Sequence, residues 1–105
     1  MKFLVTSRIK DMFYTLPPEV QLELNKGAAA FIEKYLDNGK CKEIYNMPGK
    51  NMSMSIWEGE TGEEMERRFV ELSISAFMEY EVILLSDFED SIKRNNEALE
   101  HMLVK

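Results

Sequence analysis

Hydrophobic and polar residues follow two different periods along the chain. Residues 2–8, 52–58 and 78–85 distribute their side chains between two faces with a period of two, which is the period of a β-strand. Residues 41–47 are predicted as a fourth strand because a turn signal separates them from residues 52–58. In residues 20–35, 65–72 and 88–103, apolar side chains recur at helical spacing. The pattern therefore predicts the order β-α-β-β-α-β, followed by a C-terminal helix.

Short motifs mark the ends of these elements. Pro17-Pro18-Glu19 is typical of a helix start, because proline suits the first turn and an acid suits the positive end of the helix dipole. Asn38-Gly39 predicts a left-handed cap at the end of this helix. Pro48-Gly49-Lys50-Asn51 predicts the turn of a β-hairpin. Thr61-Gly62-Glu63-Glu64 and Ser86-Asp87-Phe88-Glu89 each have the pattern of a capping box that opens a helix.

The predicted order is that of the ferredoxin-like split βαβ motif. This α+β fold has a four-stranded antiparallel sheet with two helices on one face. Residues 1–85 would form this core and residues 86–105 the additional C-terminal helix. The chain of 105 residues has the commonest size of a single domain, and no internal repeat divides it. We therefore expect one domain over residues 1–105.

The sheet face away from the two helices is expected to carry the function. In the phase we assign, it is too apolar for open water and too polar for a closed core. Its predicted residues are Leu4, Ser53, Ser55, Trp57, Glu79, Glu81 and Ile83. A second copy packed on this face would cover it and leave a lined cavity. The sequence therefore predicts a homodimer that binds a small molecule.

Net charge and cysteine content limit the classes of partner and the cellular compartment that are expected. The formal net charge is −6 without a basic stripe, so nucleic acids and anionic membranes are unfavourable partners. No apolar stretch approaches the roughly 20 residues of a membrane-spanning helix. Cys41 is the only cysteine, which excludes an intrachain disulfide and favours a reducing, cytoplasmic location. The eight methionines fit either a flexible core or an adaptable binding surface.

Several blocks between Gly39 and Val82 are similar to those of a known family. They are Gly39-Lys40, the hairpin Gly49, Ser55-Ile56-Trp57-Glu58 and Phe77-Met78-Glu79-Tyr80-Glu81-Val82. With these blocks at matching spacing, the chain resembles muconolactone isomerases and their relatives in the dimeric α+β barrel group. The resemblance implies a barrel of two back-to-back sheets. It also implies that an acidic residue moves a proton within a small unsaturated lactone.

The residues that carry this chemistry in the family are not all matched. The family's acidic pair aligns on or near Gly27 and Ala28, and its two histidines align with Glu43 and Leu4. The expected base and its neighbours are therefore missing at these positions. This departure argues against isomerisation of muconolactone itself.

Two carboxylates on the fourth strand are the candidate acids. Glu79 and Glu81 project from one face, and partial enclosure would let one of them act as an acid or a base. We predict Glu81 as the catalytic residue, because the resemblance also covers it, and Glu79 as a substrate contact. Alternatively, both lie at a solvated edge or pair with Arg8 or lysines of the partner. Arg8 would reach the cavity in one of the two possible phases of the first strand.

The remaining predicted substrate contacts are Trp57, Ser53, Ser55 and Tyr45. An indole is a good wall for a planar or apolar ligand, and hydroxyl groups orient its oxygens. Alternatively, Trp57 anchors the dimer interface and Tyr45 only packs.

No cofactor or metal site is predicted. His101 is the only histidine and Cys41 the only cysteine, so they offer neither ligand spacing for a metal nor a pattern for nucleophilic catalysis. A glycine-rich phosphate loop is also absent from the sequence.

Two functions are consistent with these features. The first is an enzyme of the muconolactone isomerase-like group that moves a proton in a small oxygenated compound without a cofactor. The second is a non-catalytic ligand-binding or self-assembly module. The C-terminal helix, residues 86–105, is expected either to dock on a neighbouring subunit or over the barrel's mouth, or to pack on its own domain.

Overall fold

The computed structural model describes residues 1–104 and contains one four-stranded antiparallel sheet. The strands are β1 (Lys2–Ile9), β2 (Cys41–Met47), β3 (Met52–Glu58) and β4 (Met78–Leu85), and the helices are α1 (Pro18–Asp37), α2 (Gly62–Val70) and α3 (Phe88–Leu103). Short 3₁₀ helices span Asp11–Thr15 and Ser73–Phe77. The strand order in the sheet is β2-β3-β1-β4. The predicted α+β, ferredoxin-like architecture is therefore confirmed.

Strand β1 is central and pairs with β3 on one side and β4 on the other. Phe3 lies opposite Trp57, and Val5 lies opposite Ser55. Directly opposed residues of an antiparallel pair project from the same face of the sheet. Since Phe3 and Val5 are buried in the core, Trp57 and Ser55 project toward the same core.

The centre of the core is an aromatic cluster around Trp57, which is fully buried. Its ring centroid lies 5.1 Å from that of Phe69, 5.4 Å from Tyr35 and 6.2 Å from Phe31. These edge-on and tilted arrangements are the favourable ones for aromatic pairs. The cluster joins β3 to α1, which carries Phe31 and Tyr35, and to α2, which carries Phe69.

The predicted face of β3 is wrong. Ser53, Ser55 and Trp57 project toward the helices, whereas the alternate side chains Met52, Met54 and Ile56 share the other face. We call the face away from α1 and α2 the open face. Burial of the serines is tolerated because their hydroxyls are satisfied internally: Ser55 Oγ accepts from the Trp57 indole N–H at 2.7 Å and donates to the Val5 carbonyl at 3.4 Å.

The hairpin between β2 and β3 is confirmed with its predicted bounds. The Lys50 amide donates to the Met47 carbonyl at 3.2 Å, and Gly49 adopts φ +79°. Proline at the preceding position and a positive φ at glycine identify a type II turn. An L side chain at Gly49 would be strained in this conformation.

The helix caps agree with the sequence at α2 and differ at α3. Thr61 accepts from the Glu64 amide at 3.1 Å, as predicted, and the Glu64 carboxylate accepts from the Glu60 amide at 2.8 Å. At α3 the cap is Asp87, which accepts from the Asp90 amide at 3.1 Å. The capping box predicted to begin at Ser86 is therefore shifted by one residue.

Buried Arg68 fastens α2 to the end of β3. Its guanidinium donates to the Glu58 carbonyl at 2.9 Å, pairs with the Glu64 carboxylate and lies 5.6 Å from the Tyr35 ring centroid. A planar guanidinium can make the hydrogen bond, the ion pair and the contact with the aromatic ring at the same time, whereas an ammonium group cannot.

Glu64 makes the stability of the fold depend on pH in the acid range. The hydrogen bond from the Glu60 amide, and then Arg68, hold the pKa of this carboxyl below its ordinary value of 4.5. As the pH falls, the unfolded chain therefore binds the proton before the folded chain does. The stabilisation by the Glu64 carboxylate is present above about pH 4.5 and is lost as the pH falls through the folded-state pKa.

Glu64→Gln should flatten the fall of unfolding free energy below this pH, measured by urea denaturation at a series of pH values. Glu66→Gln, an exposed position on the same helix, is the control, and equal slopes for E64Q and the unsubstituted chain would contradict the assignment.

Candidate functional site

A cavity of about 730 Å³ lies between α1 and the helix-side face of the sheet. This volume is within the usual range for small-molecule sites. The wall formed by α1 consists of Asn25, Ala28, Ala29, Ile32, Glu33 and Leu36. The floor formed by the strands includes Ser7, Asn46, Ser53, Ser55 and Tyr80. The hairpin turn, with Pro48 and Gly49, lines one end.

The cavity exists because α1 stands away from the sheet at its centre. None of the 20 residues of this helix is buried, although its apolar stripe faces the core. Ala28 and Ala29 are part of this wall, and their short side chains leave space that larger ones would fill. The aromatic pair Phe31 and Tyr35 holds the helix against Trp57 beside this space.

The floor carries hydroxyl groups that can orient a ligand. The hydroxyls of Ser7 and Ser53 lie 2.6 Å apart. In such a pair one hydroxyl donates to the other, so one proton remains free to donate into the cavity. The Ser55 hydroxyl is already used by Trp57 and Val5, which gives it a structural role. Among the serine hydroxyls of the floor, those of the Ser7–Ser53 pair are therefore the ones that can donate to a ligand.

Tyr80 supplies a second donor. Its hydroxyl has only the weak acceptor Met78 Sδ at 3.7 Å. Burial raises the pKa of Tyr80 to about 12, because the phenolate would be poorly solvated there. The phenol therefore stays protonated at neutral pH and can donate a hydrogen bond, but it cannot act as a base.

Glu33 is the only carboxylate among the described residues that line the cavity. It lies on α1, one turn beyond Ala29, and its side chain is exposed at the rim. Lysine, arginine and histidine are absent from the described lining. Any transfer of a proton between a ligand in this cavity and a carboxylate of the described lining would therefore use Glu33.

The structure separates the residues that were predicted to share one cavity. Ser53 and Ser55 line the cavity, whereas Trp57 is buried beside it and is not part of its surface. Glu79 and Glu81 project from the open face, opposite Arg8 and Thr6 of β1. The prediction that both carboxylates lie with Trp57 is wrong, because β3 was assigned to the opposite face.

Tyr45 also lies on the open face. Its side chain is 56% exposed, and its hydroxyl donates to the Glu43 carboxylate at 3.3 Å. It does not reach the cavity behind the sheet. The functional roles predicted for Tyr45, Glu79 and Glu81 stay predictions, now for a different surface of the molecule.

Sequence reasoning missed the wall contributed by α1. Its signal was present: Asn25, Ala29, Ile32, Glu33 and Leu36 follow helical spacing and share one face. On that face the small Ala29 lies between the polar Asn25 and Glu33.

A family model described as muconolactone delta-isomerase matches residues 1–91. The chain belongs to the muconolactone delta-isomerase family. The match covers the whole sheet, α1, α2 and the first turn of α3. A comparison with curated proteins finds no match.

In this member of the muconolactone delta-isomerase family, the cavity wall differs from the expected pattern. The acidic pair implied by the resemblance falls on or near Gly27 and Ala28, and Ala28 lines the cavity. The cavity thus holds a methyl group where an acid was expected, and Glu33 lies about one and a half turns farther along α1.

No helix within residues 1–104 is both long enough and apolar enough to cross a bilayer.

The hydrogen bond between Ser55 and Trp57 can be tested by a double-mutant cycle. Ser55→Ala leaves the buried indole N–H without its acceptor, which should cost about 1–3 kcal/mol of unfolding free energy. Trp57→Phe removes the donor as well, so S55A should cost less in the W57F background. Urea denaturation followed by circular dichroism measures the four proteins. Additive losses within about 0.5 kcal/mol would show that the bond does not stabilise the fold.

Proposed function

We propose that this member of the muconolactone delta-isomerase family moves a proton within a small, partly apolar carbonyl compound, without a cofactor. The observation that supports it is the cavity itself: mostly apolar walls, a floor with hydroxyl donors from Tyr80 and the Ser7–Ser53 pair, and one carboxylate at the rim of the described lining. The family match supports isomerase-like chemistry. The missing acid at Ala28 argues for a substrate other than muconolactone.

The proposed reaction shifts a carbon–carbon double bond relative to a carbonyl group. Glu33 takes a proton from the saturated carbon next to the carbonyl group or to its conjugated double bond, and negative charge develops on the carbonyl oxygen. Tyr80 or the free hydroxyl proton of the Ser7–Ser53 pair donates to that oxygen, which lowers the energy of the enolate. Glu33 then returns the proton to another carbon of the same conjugated system. No atom is gained or lost, so no co-reactant is needed.

The alternative is a protein that binds such a compound without transforming it. The exposure of Glu33 at the rim favours this function, because an exposed carboxylate is a weaker base for carbon acids than an enclosed one. Phe69 lines the cavity and lies 5.1 Å from the single Trp57, so ligand binding should change tryptophan fluorescence in either case.

Proton exchange with the solvent separates catalysis from binding. A panel of unsaturated lactones and related enones is incubated in D₂O, and deuterium incorporation is followed by NMR. Glu33→Gln should lower the exchange rate about 100-fold or more, while Glu81→Gln on the open face should leave it unchanged. Loss of deuterium exchange in E81Q together with an unchanged exchange rate in E33Q would assign the acid–base role to Glu81 instead. Fluorescence changes without exchange for any ligand would favour the binding function.

We also propose that the open face forms a homodimer interface and that the protein works in a reducing, cytoplasmic compartment. Among the described residues, neither α1 nor α2 covers this face. Its half-buried apolar residues include Leu4, Met54, Ile56 and Leu85. A face of this composition favours burial against a partner, and the flexible methionines allow two copies to fit together. Cys41 is a buried, free thiol, which suits a reducing compartment.

A charge in the middle of this face should prevent the dimer. Ile56→Lys places an ammonium group opposite Glu43 in the interface. Removing this charged pair from water should cost about 3 kcal/mol or more of association free energy, which raises the dissociation constant at least 100-fold. Light scattering after gel filtration at several concentrations measures the mass. Val70→Lys is the matched control, since Val70 is 76% exposed on α2. A monomeric unsubstituted chain, or a mass unaffected by I56K, would contradict the interface.

A further inference from the structure

Helix α3 lies apart from the rest of the domain. Among residues 1–104 it packs against no other element to an appreciable extent. The radius of gyration is 18.0 Å and the longest dimension 66 Å, whereas a compact domain of this length has a radius of gyration near 13 Å. The alternative in which this helix packs on its own domain is therefore not what the structure shows.

One side of α3 is apolar and exposed. Phe88 is 77% exposed, Leu99 58% and Met102 69%. Together with Ile92 and Asn95, these residues follow one another at spacings of four, three, four and three. This is the spacing of the a and d positions of a coiled coil, which form a seam that packs against another helix. We call these five residues the α3 seam.

We propose that the α3 seam pairs with the α3 seam of a second copy, in parallel and in register. In that arrangement each seam residue meets its own counterpart, so Ile92 packs on Ile92 and Leu99 on Leu99. Asn95, the one polar seam residue, meets a second amide with which it can exchange a hydrogen bond. A partner of unrelated sequence would have to offer a matching amide at this level. A shift of the two copies would set Asn95 against an apolar seam residue and leave its amide without a partner, which costs free energy.

The residues beside the seam fit the same arrangement. In a parallel helix pair, residues that flank the seam of one helix meet flanking residues of the other. Ser91 then lies near Asn96 of the second helix, and Ala98 lies near Leu103. Like charges are therefore not brought together there. The smallest of these neighbours, Ala98, lies where the exposed Leu103 needs space.

A membrane is a poorer occupant of this apolar side. Besides His101, α3 carries four acidic and two basic side chains. Interfacial helices that bind anionic lipids are instead rich in lysine and arginine on the polar face. The charge of α3 thus opposes a lipid surface, whereas it is compatible with a second copy.

The pairing must depend on the domains that carry the helices. The 16 residues of α3 span about 24 Å and only two heptads, which is too short for a stable helix pair in isolation. The family match ends at residue 91, so most of α3 lies beyond the part shared with the family. The inference concerns this chain and does not rest on the cavity or its proposed chemistry.

Disulfide trapping tests the pairing in the full-length chain. Cys41 is replaced by alanine so that only the introduced thiol reports, and Asn95→Cys, Met102→Cys and Glu97→Cys are made separately. Glu97 lies on the side of α3 opposite the seam and is the matched control. Circular dichroism verifies that each variant is folded before mild oxidation.

In the proposed arrangement N95C and M102C each form a covalent dimer in most of the protein, while E97C forms little. The seam cysteines then come within the 4–7 Å Cα separation that a disulfide needs. Trapping of N95C without M102C would indicate antiparallel helices and overturn the proposal. Equal trapping of all three cysteines, or of none, would overturn it as well, whatever the result for the open-face variant I56K.

Discussion

The pairing of β1 with its two neighbours determines where every other part of the molecule lies. Because Phe3 opposes Trp57 and Val5 opposes Ser55, the indole and the serine are drawn into the core, and the glutamates of β4 are left on the open face. A shift of one residue would exchange the two faces completely. The fully buried Trp57, with its indole N–H satisfied by Ser55, stabilises this register against such a shift.

The cavity is a consequence of the same register combined with an incompletely packed helix. The strands carry hydroxyl groups on the side that faces α1, where a tight core would have methyl groups. On the facing side, α1 carries alanines. Space left unfilled in a core lowers stability. The aromatic cluster around Trp57 and the Arg68 anchor at the end of β3 offset this loss, and they lie beside the cavity without occupying it.

The sequence was a good guide to the elements and a poor guide to which face of one strand is covered. Alternation and turn chemistry located β2, β3 and β4 with the bounds that the structure has. Alternation alone, however, shows which residues share a face and not which face the helices cover. Met52, Met54 and Ile56 are more apolar than two serines and a tryptophan, so hydrophobicity favoured the wrong assignment. Ser55 can face the core because its hydroxyl is hydrogen-bonded to Trp57 and to the Val5 carbonyl. The second of these partners lies on the neighbouring strand, so alternation along β3 does not reveal it.

Glu33 could not be identified from the sequence, and the reason is related. It is one of several acidic residues along α1, and only the packing of that helix across the sheet distinguishes it. The resemblance directed attention to Gly27 and Ala28 and to Glu81, which are positions fixed by alignment. The structure shows that Ala28 lines the cavity and that Glu81 does not. The resemblance thus pointed to two positions on α1 without predicting that this helix forms a cavity wall, and Glu33 is distinguished only by helix geometry.

The open face and the α3 seam leave this small domain with two uncovered apolar surfaces of different character. The open face is broad and rich in methionine, and its Arg8 and Glu79 lie opposite each other on adjacent strands. Such a face tolerates small changes in how two sheets meet. The α3 seam is narrow, and its single Asn95 penalises any shift in register. A domain of this length buries a limited fraction of its own surface, so further burial has to come from association. The open face would supply most of that burial, and the seam would fix the relative positions of the copies.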